Sequence, residues 1–69
     1  MTKEQLKAGL KFRTINTPRD CYHVITRVTD KFTDYDTVYP NGMRPGTSGP
    51  TDGVIKWLNR PNIGLEILS

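Results

Sequence analysis

Among 69 residues there is one cysteine, Cys21, and one histidine, His23. An internal disulfide framework is therefore excluded, and the two together cannot furnish a four-ligand zinc site. No apolar run approaches the roughly 18 residues of a membrane span, and no basic-then-apolar leader is seen. The expectation is a soluble, cytoplasmic protein with no membrane partner. Aromatic side chains are also few: one Trp, two Phe and three Tyr, within a hydrophobic fraction of 35%. That supports one domain, residues 1–69, and no more. Ordering a chain costs about 1.5 kcal/mol per residue, so so small a core leaves little surplus and self-association or a bound partner is expected.

What is there divides into short segments. Thr2 and Gln5 have capping-box spacing, with Met1 and Leu6 placed for a hydrophobic staple, which predicts a short helix ended by Gly9. From Leu10 the period becomes two, with Leu10, Phe12 and Thr14 alternating against Lys11, Arg13 and Ile15, as in a strand. Cys21–Asp30 is rich in β-branched and aromatic residues and is the clearest strand, with Tyr22, Val24, Thr26 and Val28 on one face. Asp30-Lys31 reads as a tight turn into a further strand, Phe32–Tyr39.

Residues Pro40–Gly53, PNGMRPGTSGPTDG, hold four of the six glycines and three of the five prolines, and read as a long loop without regular structure. Asp52 or Thr51 can then cap a helix carrying Val54, Trp57 and Leu58, ended by Asn59-Arg60-Pro61. Alternation of Ile63, Leu65 and Ile67 predicts a closing strand. Three consecutive antiparallel strands, a helical turn and a closing strand fit a mainly β fold with short helices, a small SH3-like, partly open barrel. The alternative is an α+β fold, a four-stranded antiparallel sheet carrying two short helices on one face.

Long loops in small domains are commonly binding elements, and Met43 and Arg44 bear the long side chains of this one. Its glycines suggest a phosphate cradle, but Pro50 stands where a P-loop needs Lys and then Ser or Thr. Looser contact of Arg44, Thr47 and Ser48 with a nucleotide-like ligand at a subunit interface is the reading that survives. Tyr35, Tyr39 and Trp57 are the aromatic candidates beside the loop, Trp57 being either core filler or partner anchor.

Charge is uneven along the chain. Residues 1–27 carry Lys3, Lys7, Lys11, Arg13, Arg19 and Arg27 against Glu4 and Asp20, whereas 28–53 carry Lys31 and Arg44 against Asp30, Asp34, Asp36 and Asp52. Lys11, Arg13, Arg27 and Tyr22 would suit single-stranded nucleic acid, cations on phosphates and rings on bases. The same polarity suits a homo-oligomer, basic patch on acidic patch. Cys21 and His23 share a strand face at roughly 7 Å but lack an oxyanion or orienting partner, and Asp34 and Asp36 lack the further oxygen ligands of a calcium loop. No catalytic residue, metal ligand or cofactor is assigned, and an enzyme is not expected.

Gly9-Leu10-Lys11-Phe12, Tyr22-His23-Val24-Ile25, the aromatic strand, Val54-Ile55-Lys56-Trp57-Leu58-Asn59 and Ile63-Gly64-Leu65-Glu66-Ile67 together span nearly the whole chain. In this pattern the chain resembles very small proteins encoded by bacteriophages and other mobile elements, which have a reduced SH3-like sheet. The resemblance implies a non-enzymatic accessory protein that binds and blocks a host protein or defence factor, sequesters a small molecule, or modulates replication or transcription, in a bacterial cytoplasm. It carries no functional residue across, and the long loop departs from the more compact members.

Overall fold

A computed structural model describes residues 1–68. These form β1 (Lys11–Arg13), β2 (Tyr22–Val28), β3 (Phe32–Val38), β4 (Gly46–Pro50), α1 (Thr51–Leu58) and β5 (Glu66–Ile67). The fold is mainly β, one open antiparallel sheet in the order β4-β3-β2-β1-β5 with a single helix. No helix among the described residues is long and apolar enough to cross a membrane.

β2 and β3 form the spine, as their β-branched and aromatic content requires. Their hairpin turns on Asp30-Lys31, where the Thr29 amide donates to the Phe32 carbonyl at 2.8 Å and the Phe32 amide to Thr29 Oγ1 at 2.9 Å. Ile25 faces Tyr35 and Arg27 faces Asp34, so Thr26 is a bulge, its hydroxyl donating to the Asp34 carbonyl at 3.2 Å. A bulge flips the alternation. The face expected from strict period two therefore holds only to Ile25, after which Arg27 turns outward and Val28 inward.

The core lies between the inner sheet face and α1. Leu6, Phe12, Ile25, Val54 and Leu58 are its buried members, with Met1, Leu10, Tyr35 and Trp57 packed around them. Val54 and Leu58, four apart on α1, form the apolar stripe the sequence predicts. Asn59, just past the helix, donates from Nδ2 to the Met1 carbonyl at 2.8 Å and so ties the two ends of the fold together.

Four expectations need correction. The N-terminal segment is not a helix but consecutive turns, with Gln5 N to Thr2 O at 3.1 Å and Leu6 N to Lys3 O at 3.2 Å. The predicted reciprocal bond does form, Thr2 N to Gln5 Oε1 at 2.9 Å, yet so short a segment cannot offset helix nucleation. β1 and the closing strand are shorter than alternation suggests, because Thr14 turns the chain through a bond from its amide to Thr17 Oγ1 at 2.8 Å and Gly64 adopts φ +63°. Five strands and one helix also replace the α+β alternative of four strands and two helices.

The largest correction concerns Pro40–Gly53, which is not structureless. Pro40-Asn41 is a type I turn, closed by Gly42 N to Tyr39 O at 3.0 Å, and Gly42 at φ +90° supplies the left-handed bulge position of a three-residue hairpin loop. The following residues pair with β3 as β4, and α1 begins at Thr51 with Pro50 as its cap. Proline at the end of β4 is tolerated because β4 is a sheet edge.

Candidate binding surfaces

Side chains from four elements meet on the inner face as a ring cluster. Phe12 and His23 lie 5.2 Å apart between centroids, Phe12 and Trp57 5.8 Å, His23 and Tyr35 5.6 Å, and Tyr35 stacks on Trp57 at 5.8 Å. These spacings are contact distances for packed rings and leave no slot between them. Trp57 thus fills the core with one side, while it and Tyr35 remain half-exposed.

His23 is held from both ends. Nδ1 is 2.9 Å from Thr37 Oγ1 and Nε2 is 3.1 Å from Thr17 Oγ1, so neither nitrogen is offered to Cys21, whose thiol instead donates to the Arg19 carbonyl at 3.6 Å. Burial pushes the imidazole below its ordinary pKa of 6.5. The unfolded chain then takes up the proton first. Stability contributed by neutral His23 is complete above pH 6.5 and falls as pH drops through that value towards the folded pKa. Thermal midpoints measured from pH 8 to pH 5 are expected to fall for the wild type and to fall less for His23→Gln; parallel curves would remove His23 as the cause.

The second feature is the edge strand β4. The Thr37 amide donates to the Pro45 carbonyl at 3.0 Å, so odd-numbered residues of β3 turn their main chain towards β4. Register pairs Tyr35 with Thr47 and Thr33 with Gly49 in the same sense, while Gly46, Ser48 and Pro50 face away from β3. Gly46 and Ser48 therefore present their N–H and C=O to solvent. A depression of about 210 Å³ crosses this edge, lined by Asp34, Tyr35, Asp36, Gly46, Thr47 and Ser48. Asp36 lies over Gly46, where an added Cβ would stand 3.3 Å from its carboxylate, and pairs with Arg44 at 3.2 Å.

The structure thus divides the residues expected to bind. Tyr35, Thr47 and Trp57 come together on the inner side, Tyr39 and the exposed Met43 flank the hairpin turn beyond them, and Ser48 and Arg44 belong to the outer side. Arg44, Thr47 and Ser48 do not converge on one point, since Thr47 and Ser48 alternate across the sheet and Arg44 is drawn to Asp36.

Lys11, Arg13, Tyr22 and Arg27 all share the outer sheet face, with the Lys11 ammonium 6.0 Å from the Tyr22 ring centre. They are not an unbroken basic stripe, because register sets Glu66 opposite Arg13 and Asp34 opposite Arg27, with Asp36 opposite Val24 between them. Of the carboxylates Asp30, Asp34 and Asp36, Asp30 is engaged by Lys3 at 2.8 Å, which holds its carboxyl below the ordinary value, and Asp36 by Arg44. No group of three metal-ligating side chains occurs among the described residues.

Sequence reasoning missed three things here. The Thr14, Thr17 and Thr37 network around His23 has no signature, since threonine recurs throughout the chain. The outward amides of β4 follow from pairing alone, and a cleft between the N-terminal turns and β5 is made by residues far apart in sequence. The Pro40-Asn41-Gly42 turn was the one available signal. No protein-family model, curated protein or solved structure matches this chain.

Proposed function

We propose that the protein is a non-catalytic binding module of the SH3-like, partly open barrel kind, a phage-type accessory protein that acts in a bacterial cytoplasm by contacting a host protein. The carrying observation is the β4 edge, with two outward main-chain amide units beside the half-exposed Tyr35–Trp57 pair. An extended segment of a partner can add to such an edge, its main chain bonding to Gly46 and Ser48 and its side chains meeting the rings. The meander β1 to β4, followed by α1 and by a β5 that returns to β1, supports the barrel reading.

Pro45 and Pro50 bound the edge and limit addition to a short segment. The nucleic-acid alternative is the weaker because two of its three cations, Arg13 and Arg27, stand opposite carboxylates on the outer face.

Ser48→Pro removes one outward N–H without touching a β3 bond, so the fold should survive. Partner capture from host lysate is expected to drop about ten-fold for Ser48→Pro and for Met43→Glu, with unchanged circular dichroism. Undiminished capture by Ser48→Pro would sink the edge reading. Retention of single-stranded DNA that weakens steeply between low and high salt would put the nucleic-acid reading in its place.

A further inference from the structure

Three of the five exposed large apolar residues, Ile15 at 71%, Ile67 at 50% and Leu68 at 42%, lie at the sheet edge opposite β4. There the Leu68 amide donates to the Lys11 carbonyl at 2.9 Å and the Ile15 amide to the Ile63 carbonyl at 2.7 Å. Even-numbered residues of β5 thus turn their main chain towards β1, and Ile67 turns its N–H and C=O away from the sheet. Register pairs Ile67 with Phe12, which puts its side chain on the inner face. It there joins a cleft of about 480 Å³ lined by Met1, Leu10 and Leu65, with Glu4 and Lys7 also on its walls.

We infer that this edge and cleft are the surface by which two copies of the chain pair about a two-fold axis, β5 against β5 in antiparallel sense. Three features select a second copy as occupant. Ile67 is the outward residue within β5, so a two-fold through it lets each copy donate one main-chain bond and accept one, a self-complementary arrangement. The cleft carries one carboxylate and one ammonium, and walls with both signs are complementary to themselves under the same rotation. Of the exposed apolar residues Ile67 stands on the cleft wall, so each Ile67 side chain covers the other copy's apolar lining. β4 offers none of this, being flanked by Pro45 and Pro50 and bearing no large apolar side chain. The pairing answers the shortage of core in so short a chain, and it is independent of what binds at β4.

Residues facing each other in a hydrogen-bonded antiparallel pair have Cα atoms about 5.5 Å apart, inside the range a disulfide spans. Ile67→Cys under a mild copper oxidant is therefore expected to form a covalent dimer about ten times faster than Ser48→Cys on the opposite edge. Cys21 stays out of the reaction because it is buried, at 3% exposure. Light scattering should give a dimer for the wild type and for Ser48→Pro, and a monomer with unchanged circular dichroism for Ile67→Lys. A wild type monomeric up to millimolar concentration, equal cross-linking at the two positions, or a dimer surviving in Ile67→Lys would each overturn the inference.

Discussion

Phe12→Ala is expected to leave the chain largely unfolded at room temperature without denaturant. Phe12 is fully buried, at 0% exposure, and touches both His23 and Trp57 in the ring cluster. It is also the middle residue of β1, the three-residue strand through which β2 and β5 are joined. Truncating a buried phenylalanine costs about 3–5 kcal/mol through lost transfer energy and the cavity left behind. A single core in a domain of this length supplies no more than about 3–5 kcal/mol of total stability. Removing Phe12 thus consumes most or all of it. Phe32→Ala deletes the same atoms from a side chain that is 56% exposed, and should cost less than about 1 kcal/mol. Trp57, the only tryptophan, should report by fluorescence a full urea transition for Phe32→Ala and, for Phe12→Ala, a signal already largely that of the unfolded chain before urea is added. Equal midpoints for the two variants would mean that the inner face does not hold the core.

How far the fold could be read before seeing it depended on whether side chains carried the instruction. β2, β3 and the Asp30-Lys31 turn were legible because β-branched residues, aromatics and turn formers state local preferences directly. The bond from Thr2 to Gln5 was legible for the same reason, though the helix it would have started was not formed. β4 was illegible because Gly46-Thr47-Ser48-Gly49-Pro50 has no apolar alternation. It is a strand because the Pro40-Asn41-Gly42 turn folds it back along β3, and because Gly46 leaves room for the Asp36 carboxylate. The Thr26 bulge was equally hidden, so Arg27 and Val28 exchanged faces. For the candidate surfaces, residue types such as Tyr35, Trp57 and Met43 were recognisable as contact-makers. Which of them share a face follows from register, and register is settled between strands rather than within them.

Thr51→Val is expected to lower stability by about 2–4 kcal/mol although it changes one hydroxyl to a methyl of nearly the same shape. Thr51, the first residue of α1, has no exposed surface. Its hydroxyl donates to the Thr29 carbonyl at 2.7 Å, and Thr33 Oγ1 lies 2.9 Å away on its other side. A carbonyl can only accept, so the single Thr51 proton is committed to Thr29 and Thr33 must donate to Thr51. Valine therefore strands a carbonyl acceptor and a hydroxyl donor together, and unpaired buried groups cost about 1–3 kcal/mol each. The main-chain bond from the Thr51 amide to the Lys31 carbonyl, at 3.0 Å, is kept by valine, so the loss is that of the hydroxyl pair. The donor order makes the series asymmetric. Thr33→Val leaves the bond to Thr29 intact and removes only a donor that had one place to go, so it should cost about 1 kcal/mol. In the double variant Thr33 no longer has a hydroxyl to strand, and the loss should be no greater than for Thr51→Val alone. Urea midpoints of the three variants decide the matter: equal single-variant costs, or additive losses in the double variant, would show that the hydroxyls act independently rather than as a chain ending on Thr29.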